Sequence, residues 1–148
     1  MEVTNDFKKL LELFNSHKVD YIIIGAYALA YYGVPRYTGD IDILVNPDVE
    51  NAERVMSALD EFGITATDVS ALEFSKFNNV VQIGVSPVRV DILTSISGLS
   101  WEEAAFEREH GMYGGVAVHC IAKAQFIANK RAIGRSKDLA DLEALGEL

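Results

Sequence analysis

At 148 residues, 49% of them hydrophobic and 24% charged, the chain has the size and composition of one soluble globular domain, residues 1–148, with its own core. A net charge of −9 speaks against a generic grip on nucleic acid, which rests on clustered Lys and Arg, and leaves room for a local basic site. The acidic start (Glu2, Asp6) lacks the apolar run of a signal peptide, and the uncharged segment from Tyr21 to Pro35 is too short to span a bilayer, so a cytoplasmic protein without a membrane partner is expected.

Thr4 is placed to cap a first helix running to about Ser16, in which Phe7, Leu10, Leu11 and Phe14 at i, i+3, i+4 and i+7 form a core-facing stripe. Tyr21 to Ile24 is a β-branched run that stops at Gly25. Ala26 to Tyr32 then reads as helix, closed by Gly33 with Pro35 just beyond. Asp40 to Val45 follows as a second strand whose alternation puts Asp40 and Asp42 on one face and Ile41 and Ile43 on the other. Two such carboxylates raise each other's pKa unless a cation lies between them. Mg²⁺, which takes carboxylate oxygens together with waters and substrate phosphates, suits the pair. The same residues also fit a solvated edge strand that keeps its charges outward.

Asn46-Pro47-Asp48 offers an N-cap, a Pro at N1 and an acidic first turn for a helix to Phe62, stopped by Gly63. Ile64 to Thr67 reads as a short edge strand, and Val69 to Asn79 as loop or partial helix. Val80–Val85 and Val88–Thr94 are two strands expected to form a hairpin at Ser86-Pro87. In the second, Arg89, Asp91 and Leu93 share a face, which adds a third carboxylate. The capping box SWEE, Ser100 to Glu103, opens a helix through about His110 with Trp101 as a core anchor.

Val116 to Ile121 is a further strand. It carries Cys120, which cannot form an internal disulfide and reads as a small buried hydrophobe. His17, His110 and His119 lack metal-ligand spacing and are assigned no chemistry. A helix from Ala122 to Ile133 ends at Gly134, and Ser136 caps a last helix with Leu139, Leu142 and Leu145 on its packed side. Five of the 13 Lys and Arg residues lie between Lys123 and Lys137. Lys130, Arg135 and Lys137 could meet the phosphates of a nucleotide whose metal the aspartates hold, or form a solvated turn beside a helix C-terminus.

Gly25-Ala26, Arg36-x-Thr38-x-Asp40-x-Asp42, Asp91 and GRSKDLADL together resemble the nucleotidyltransferase superfamily related to DNA polymerase β. Within it the chain resembles the small bacterial AbiEii-type (abortive-infection) toxins, over essentially its whole length. Gly25, Asp40, Asp42 and Asp91 match the family pattern, whereas Ala26 stands where the family has Ser or Gly. The resemblance implies an α+β (two-layer α/β) fold, a mixed β-sheet with helices packed mainly on one face. It implies a two-metal transfer of a nucleoside monophosphate from NTP to an acceptor (tRNA, protein or small molecule), releasing pyrophosphate.

By the same resemblance Asp40, Asp42 and Asp91 would hold Mg²⁺ or Mn²⁺, with Asp91 beside the acceptor hydroxyl. Gly25, Ala26, Arg36 and Thr38 would contact the nucleotide, and Lys130, Arg135 and Lys137 would neutralise its triphosphate. Asp138 would orient Lys137 or accept from the first-turn amides of the last helix. Two readings stay open. One is an active transferase, as a toxin paired with a cognate antitoxin or helical partner, or acting alone. The other is a catalytically weak or inactive module on the same fold that binds nucleotide or a partner.

Overall fold

The computed structural model describes residues 3–35, 38–64, 70–85 and 88–147. Among these residues there are six strands, most of them short β-branched runs: β1 (Tyr21–Ile24), β2 (Asp40–Val45), β3 (Val80–Ile83), β4 (Arg89–Leu93), β5 (Glu109–Tyr113) and β6 (Val116–Cys120). They make one sheet in the order β3-β4-β2-β1-β6-β5. It is mixed, since β1 with β6 and β2 with β4 run parallel and the remaining pairs antiparallel. Seven helices accompany the strands: α1 (Asn5–Ser16), α2 (Gly25–Tyr31), α3 (Val49–Phe62), α4 (Ala71–Ser75), α5 (Trp101–Ala105), α6 (Lys123–Ile133) and α7 (Ser136–Ala144). The α+β mixed sheet expected from the sequence is the observed fold.

Period-2 alternation divides the strands between two hydrophobic layers. Tyr21, Ile23, Ile41, Ile43, Val90 and Ile92 face the larger one, beneath the Phe7, Leu10, Leu11, Phe14 stripe of α1 and Ala52, Val55 and Leu59 of α3. Ile22, Ile24 and Leu44 face a smaller layer closed by Leu29 of α2, Ala104 of α5 and Phe126 of α6. Because β2 lies between β1 and β4, the alternative of a solvated edge strand for Asp40 and Asp42 does not hold. No helix among the described residues is long and apolar enough to cross a membrane.

Several boundaries differ from expectation for identifiable reasons. The cap of α3 is Asp48, whose side chain accepts from the amides of Glu50 and Asn51, and not Asn46. Asn46 is held instead by Asp20 and Asn51. The last helix begins at Ser136, with Arg135 in the capping position and Asp138 returning to the Arg135 amide, so Ser136 is not the cap. The helix opened by SWEE stops at Ala105, and Glu109 to Tyr113 is strand β5, paired with β6. Glu107 has φ +53 and interrupts the helical path, while Gly114 and Gly115, both at positive φ, turn β5 into β6 as a two-residue hairpin loop requires. That Gly-Gly signal, flanked by Tyr113 and Val116, was present in the sequence. Residues 65–67, 86 and 87 lie outside the described set, so the short edge strand and the turn at Ser86-Pro87 do as well. Within Val69 to Asn79, expected as loop or partial helix, Ala71 to Ser75 forms α4.

Candidate active site

Strand alternation and one parallel register build the floor of the site. Asp40 and Asp42 of β2, and Arg89 and Asp91 of β4, turn toward the face that carries the smaller hydrophobic layer. The pairing of β2 with β4 sets Asp42 opposite Asp91 and Asp40 opposite Arg89. One carboxylate oxygen from each of Asp40, Asp42 and Asp91 consequently lies within 4.8 Å of the others.

Arg89 bridges two members of this group. Its Nη2 donates to Asp40 Oδ2 at 3.2 Å and to Asp91 Oδ2 at 3.0 Å. Thr38 donates its hydroxyl to Asp40 Oδ1 at 3.0 Å, so both oxygens of Asp40 have partners. Asp91 Oδ1, by contrast, is buried with no hydrogen-bond partner among the described residues. Burial first, then the charges of Asp40 and Asp91, push the Asp42 carboxyl up to about 7, with Lys130 pulling the other way. An orphaned buried carboxylate oxygen beside a carboxylate that resists ionisation is a site short of positive charge. Its all-oxygen donor set fits a hard divalent cation such as Mg²⁺ or Mn²⁺.

Gly25 is required where it stands. It joins β1 to α2 at φ +68, and a Cβ there would collide with Asp42 Oδ2. Gly25→Ala should therefore destabilise the fold by at least about 1 kcal/mol from the left-handed backbone alone, and displace the Asp42 carboxylate as well. Urea unfolding reads the effect, and a variant as stable as the parent would contradict the close approach.

A cleft of about 650 Å³ opens over these residues, within the size range of small-molecule sites. Lys130 and Asn129 of α6 contribute to its lining together with Arg135 and Lys137 at the start of α7, and Asn78, Asn79 and Ser95 contribute from the ends of β3 and β4. Lys130 is 5% exposed, and its ammonium contacts Asp138 Oδ1 at 3.1 Å and Asp141 Oδ2 at 3.2 Å. Arg135 Nε donates to Asp138 Oδ2 at 2.7 Å. Burial alone would raise the Asp138 carboxyl, but hydrogen bonds and charge from Arg135 and Lys130 outweigh it and hold it at about 2.

The structure thus brings Asp40, Asp42, Asp91, Gly25, Lys130, Arg135 and Lys137 to one cleft, although Lys137 is 95 residues from Asp42 in sequence. Thr38 buttresses Asp40 from beside it, and Ala26 sits in the first turn of α2 next to Gly25. Arg36 lies outside the described residues. Asp138 holds Lys130 and Arg135, and no bond from it to Lys137 is seen. Leu139, expected on the packed side of α7, is 40% exposed, because the inward side of α7 presents Asp138 and Asp141 to Lys130 along with Leu142. Sequence reasoning missed Arg89 as a member of the site, although its period-2 spacing from Asp91 was the available signal. Asn78, Asn79 and Asn129 had no comparable signature.

Several solved structures share this fold. A candidate nucleotidyltransferase from Thermotoga maritima superposes with a TM-score of 0.64 at 18% identity, covering 96% of this chain and 91% of that one. The lincosamide antibiotic adenylyltransferase LnuA, solved with lincomycin bound, superposes at 0.59 with 17% identity, covering 99% and 98%. The antibiotic-resistance factor ANT(2'')-Ia superposes at 0.60 with 14% identity, covering 95% and 80%. No curated protein sequence matches the chain significantly. At these identities the superpositions speak for the fold, and membership is decided by the sequence: residues 6–145 match the family model described as aminoglycoside-2''-adenylyltransferase, and the chain belongs to that family of nucleotidyltransferases.

Proposed function

We propose that the protein transfers a nucleoside monophosphate, an adenylyl group by family analogy, from NTP to a hydroxyl of a small molecule. The observation that carries this reading is the convergence of Asp40, Asp42 and Asp91 within 4.8 Å, in a cleft also lined by Lys130, Arg135 and Lys137. Membership in an adenylyltransferase family moves the weight toward a small-molecule acceptor and away from tRNA or protein. The narrower likeness to AbiEii-type toxins, with an antitoxin partner, rests on the motifs alone.

The residues divide the work by charge. Asp40, Asp42 and Asp91 would hold Mg²⁺ or Mn²⁺, which when bound supplies positive charge to the phosphate oxygens and to the attacking and leaving groups. Lys137 and Arg135, exposed at the start of α7, would take the outer phosphates, and Lys130, fixed by Asp138 and Asp141, would present a positioned charge from the wall. The acceptor hydroxyl, beside Asp91, would lose its proton to a carboxylate of the site. Thr38 donates to Asp40, and Arg89 to Asp40 and Asp91, which keeps those carboxylates in place.

Incubation with each α-labelled NTP and Mg²⁺ or Mn²⁺, against small-molecule extract, total RNA and protein in separate reactions, tests the reading. Label is expected on a small molecule, and its appearance on RNA or protein alone would redirect the assignment to a macromolecular acceptor. Lys137→Ala should weaken NTP binding about tenfold, the loss of one charge-assisted contact, while leaving the melting temperature unchanged because the side chain is exposed. Calorimetry that finds the affinity unaltered would remove Lys137 from the phosphate site.

A further inference from the structure

The resemblance to nucleotidyltransferases implies two divalent ions among the three aspartates, yet the sheet itself already delivers one cation to them. The parallel register of β2 and β4 sets Arg89 opposite Asp40, and strand alternation sets it two residues from Asp91 on the same face. The guanidinium therefore lies at the seam between the two carboxylates. A single nitrogen, Nη2, donates to Asp40 Oδ2 at 3.2 Å and to Asp91 Oδ2 at 3.0 Å. Those are the oxygens through which a second ion would bridge the pair. Asp40 Oδ1 is engaged as well, by the Thr38 hydroxyl at 3.0 Å.

Arg89 is fixed from both ends. Its backbone amide donates to the Gly39 carbonyl at 3.1 Å, and its Nε is buried without a hydrogen-bond partner among the described residues, so the guanidinium is anchored through the two carboxylates. What remains for a divalent ion is narrower. Asp91 is 7% exposed, and its Oδ1 is buried with no hydrogen-bond partner among the described residues. Asp42 stands opposite it in the register. Two carboxylates on neighbouring strands suit one Mg²⁺ or Mn²⁺ completed by waters and phosphate oxygens. One divalent ion and one guanidinium together carry the positive charge that three carboxylates call for. Arginine stays protonated throughout the working pH range and is less strongly hydrated than an ammonium, which suits it to a partly buried carboxylate pair.

We propose that Arg89 is the resident second cation of this centre: it takes the place between Asp40 and Asp91 and leaves the chain to bind one divalent ion, at Asp42 and Asp91, where the family resemblance implies two. The proposal rests on the transfer reading above. Under that reading the acceptor hydroxyl lies beside Asp91, and a guanidinium supplied there by the strand needs no loading and little reorganisation when the substrates arrive.

Mn²⁺ titrated into the full chain, with the non-hydrolysable analogue α,β-methylene ATP present, counts the ions. Calorimetry gives the number bound, and electron paramagnetic resonance registers the spin coupling of two Mn²⁺ ions about 3.5–4 Å apart. The wild type is expected to bind one Mn²⁺ per chain in total, without coupling. Arg89→Met should admit a second ion and show the coupled signal, which a residue that merely supports the fold would not produce on removal. Two coupled ions in the wild type would mean that the guanidinium gives way to the second ion, and would overturn the proposal whether or not the variant folds, while leaving the transfer reading standing. A single uncoupled ion in folded Arg89→Met would overturn it too. A wild type that binds neither Mn²⁺ nor the analogue would sink the transfer reading itself, and the role of Arg89 with it.

Discussion

Lys130→Met should destabilise the fold by about 3–5 kcal/mol, the usual effect of removing one partner from a buried ion pair. At roughly 2–4 °C per kcal/mol for a domain of this size, the melting temperature should fall by roughly 10 °C. Lys130 faces Asp138 and Asp141 at 3.1 and 3.2 Å, all three residues are at most 5% exposed, and methionine leaves both carboxylates without that cation. The double substitution Lys130→Met/Asp141→Leu should recover part of the loss, because exchanging buried charges for apolar volume is often neutral. A melting temperature within about 2 °C of the parent for the single variant would show that the network carries little stability.

The same network sets an acid limit. Asp138 has its folded pKa lowered to about 2 by Arg135 and Lys130 acting against burial, so its contribution to stability is fully present above its ordinary value near 4. It is lost as the pH falls through about 2. In Lys130→Met that acid loss should be smaller, since less of the lowering remains to be lost.

Asp42→Asn should reduce nucleotidyl transfer at least a thousandfold, as expected for a group that would hold the cation in the reacting state, and at the same time stabilise the cation-free protein. The sign follows from the raised pKa. A carboxyl held at about 7 in the folded chain and near 4 in the unfolded chain binds more protons when folded, so its contribution is fully present below about 4 and lost as the pH rises through 7. Above that pH the ionised Asp42 destabilises the fold by up to about 4 kcal/mol, which the asparagine should relieve. Thermal melts in chelator at pH 5 and pH 8 check this: the parent should lose stability between them, and Asp42→Asn should lose less. Equal pH dependence would mean that Asp42 is not the residue bearing the repulsion. Arg89 and Thr38 partner Asp40, whereas at Asp42 burial and the charges of Asp40 and Asp91 outweigh the opposing charge of Lys130.

Local chemistry alone settled a good part of this protein. The α1 stripe, the helix ends at Gly63 and Gly134, and the shared face of Asp40 and Asp42 follow from side-chain periods of 3.6 and 2 and from glycine at left-handed φ, which act over a few residues. The acidic pair was therefore legible, and so was the presence of a third aspartate on a strand. Only tertiary structure decided that Asp91 stands opposite Asp42, because a parallel register between β2 and β4 depends on the crossover between them and not on either strand's own residues. Only tertiary structure turned Asp138 and Asp141 inward in place of Leu139, because a buried Lys130 contributed by α6 needs carboxylates from the helix packed against it. Strand β5 escaped for a related reason: Glu109 to Tyr113 carries a weak strand pattern of its own, and pairing with β6 across Gly114-Gly115 is what makes it one. Periodicity speaks for a residue's own element, whereas a site of three carboxylates and a positioned lysine is a property of elements brought together.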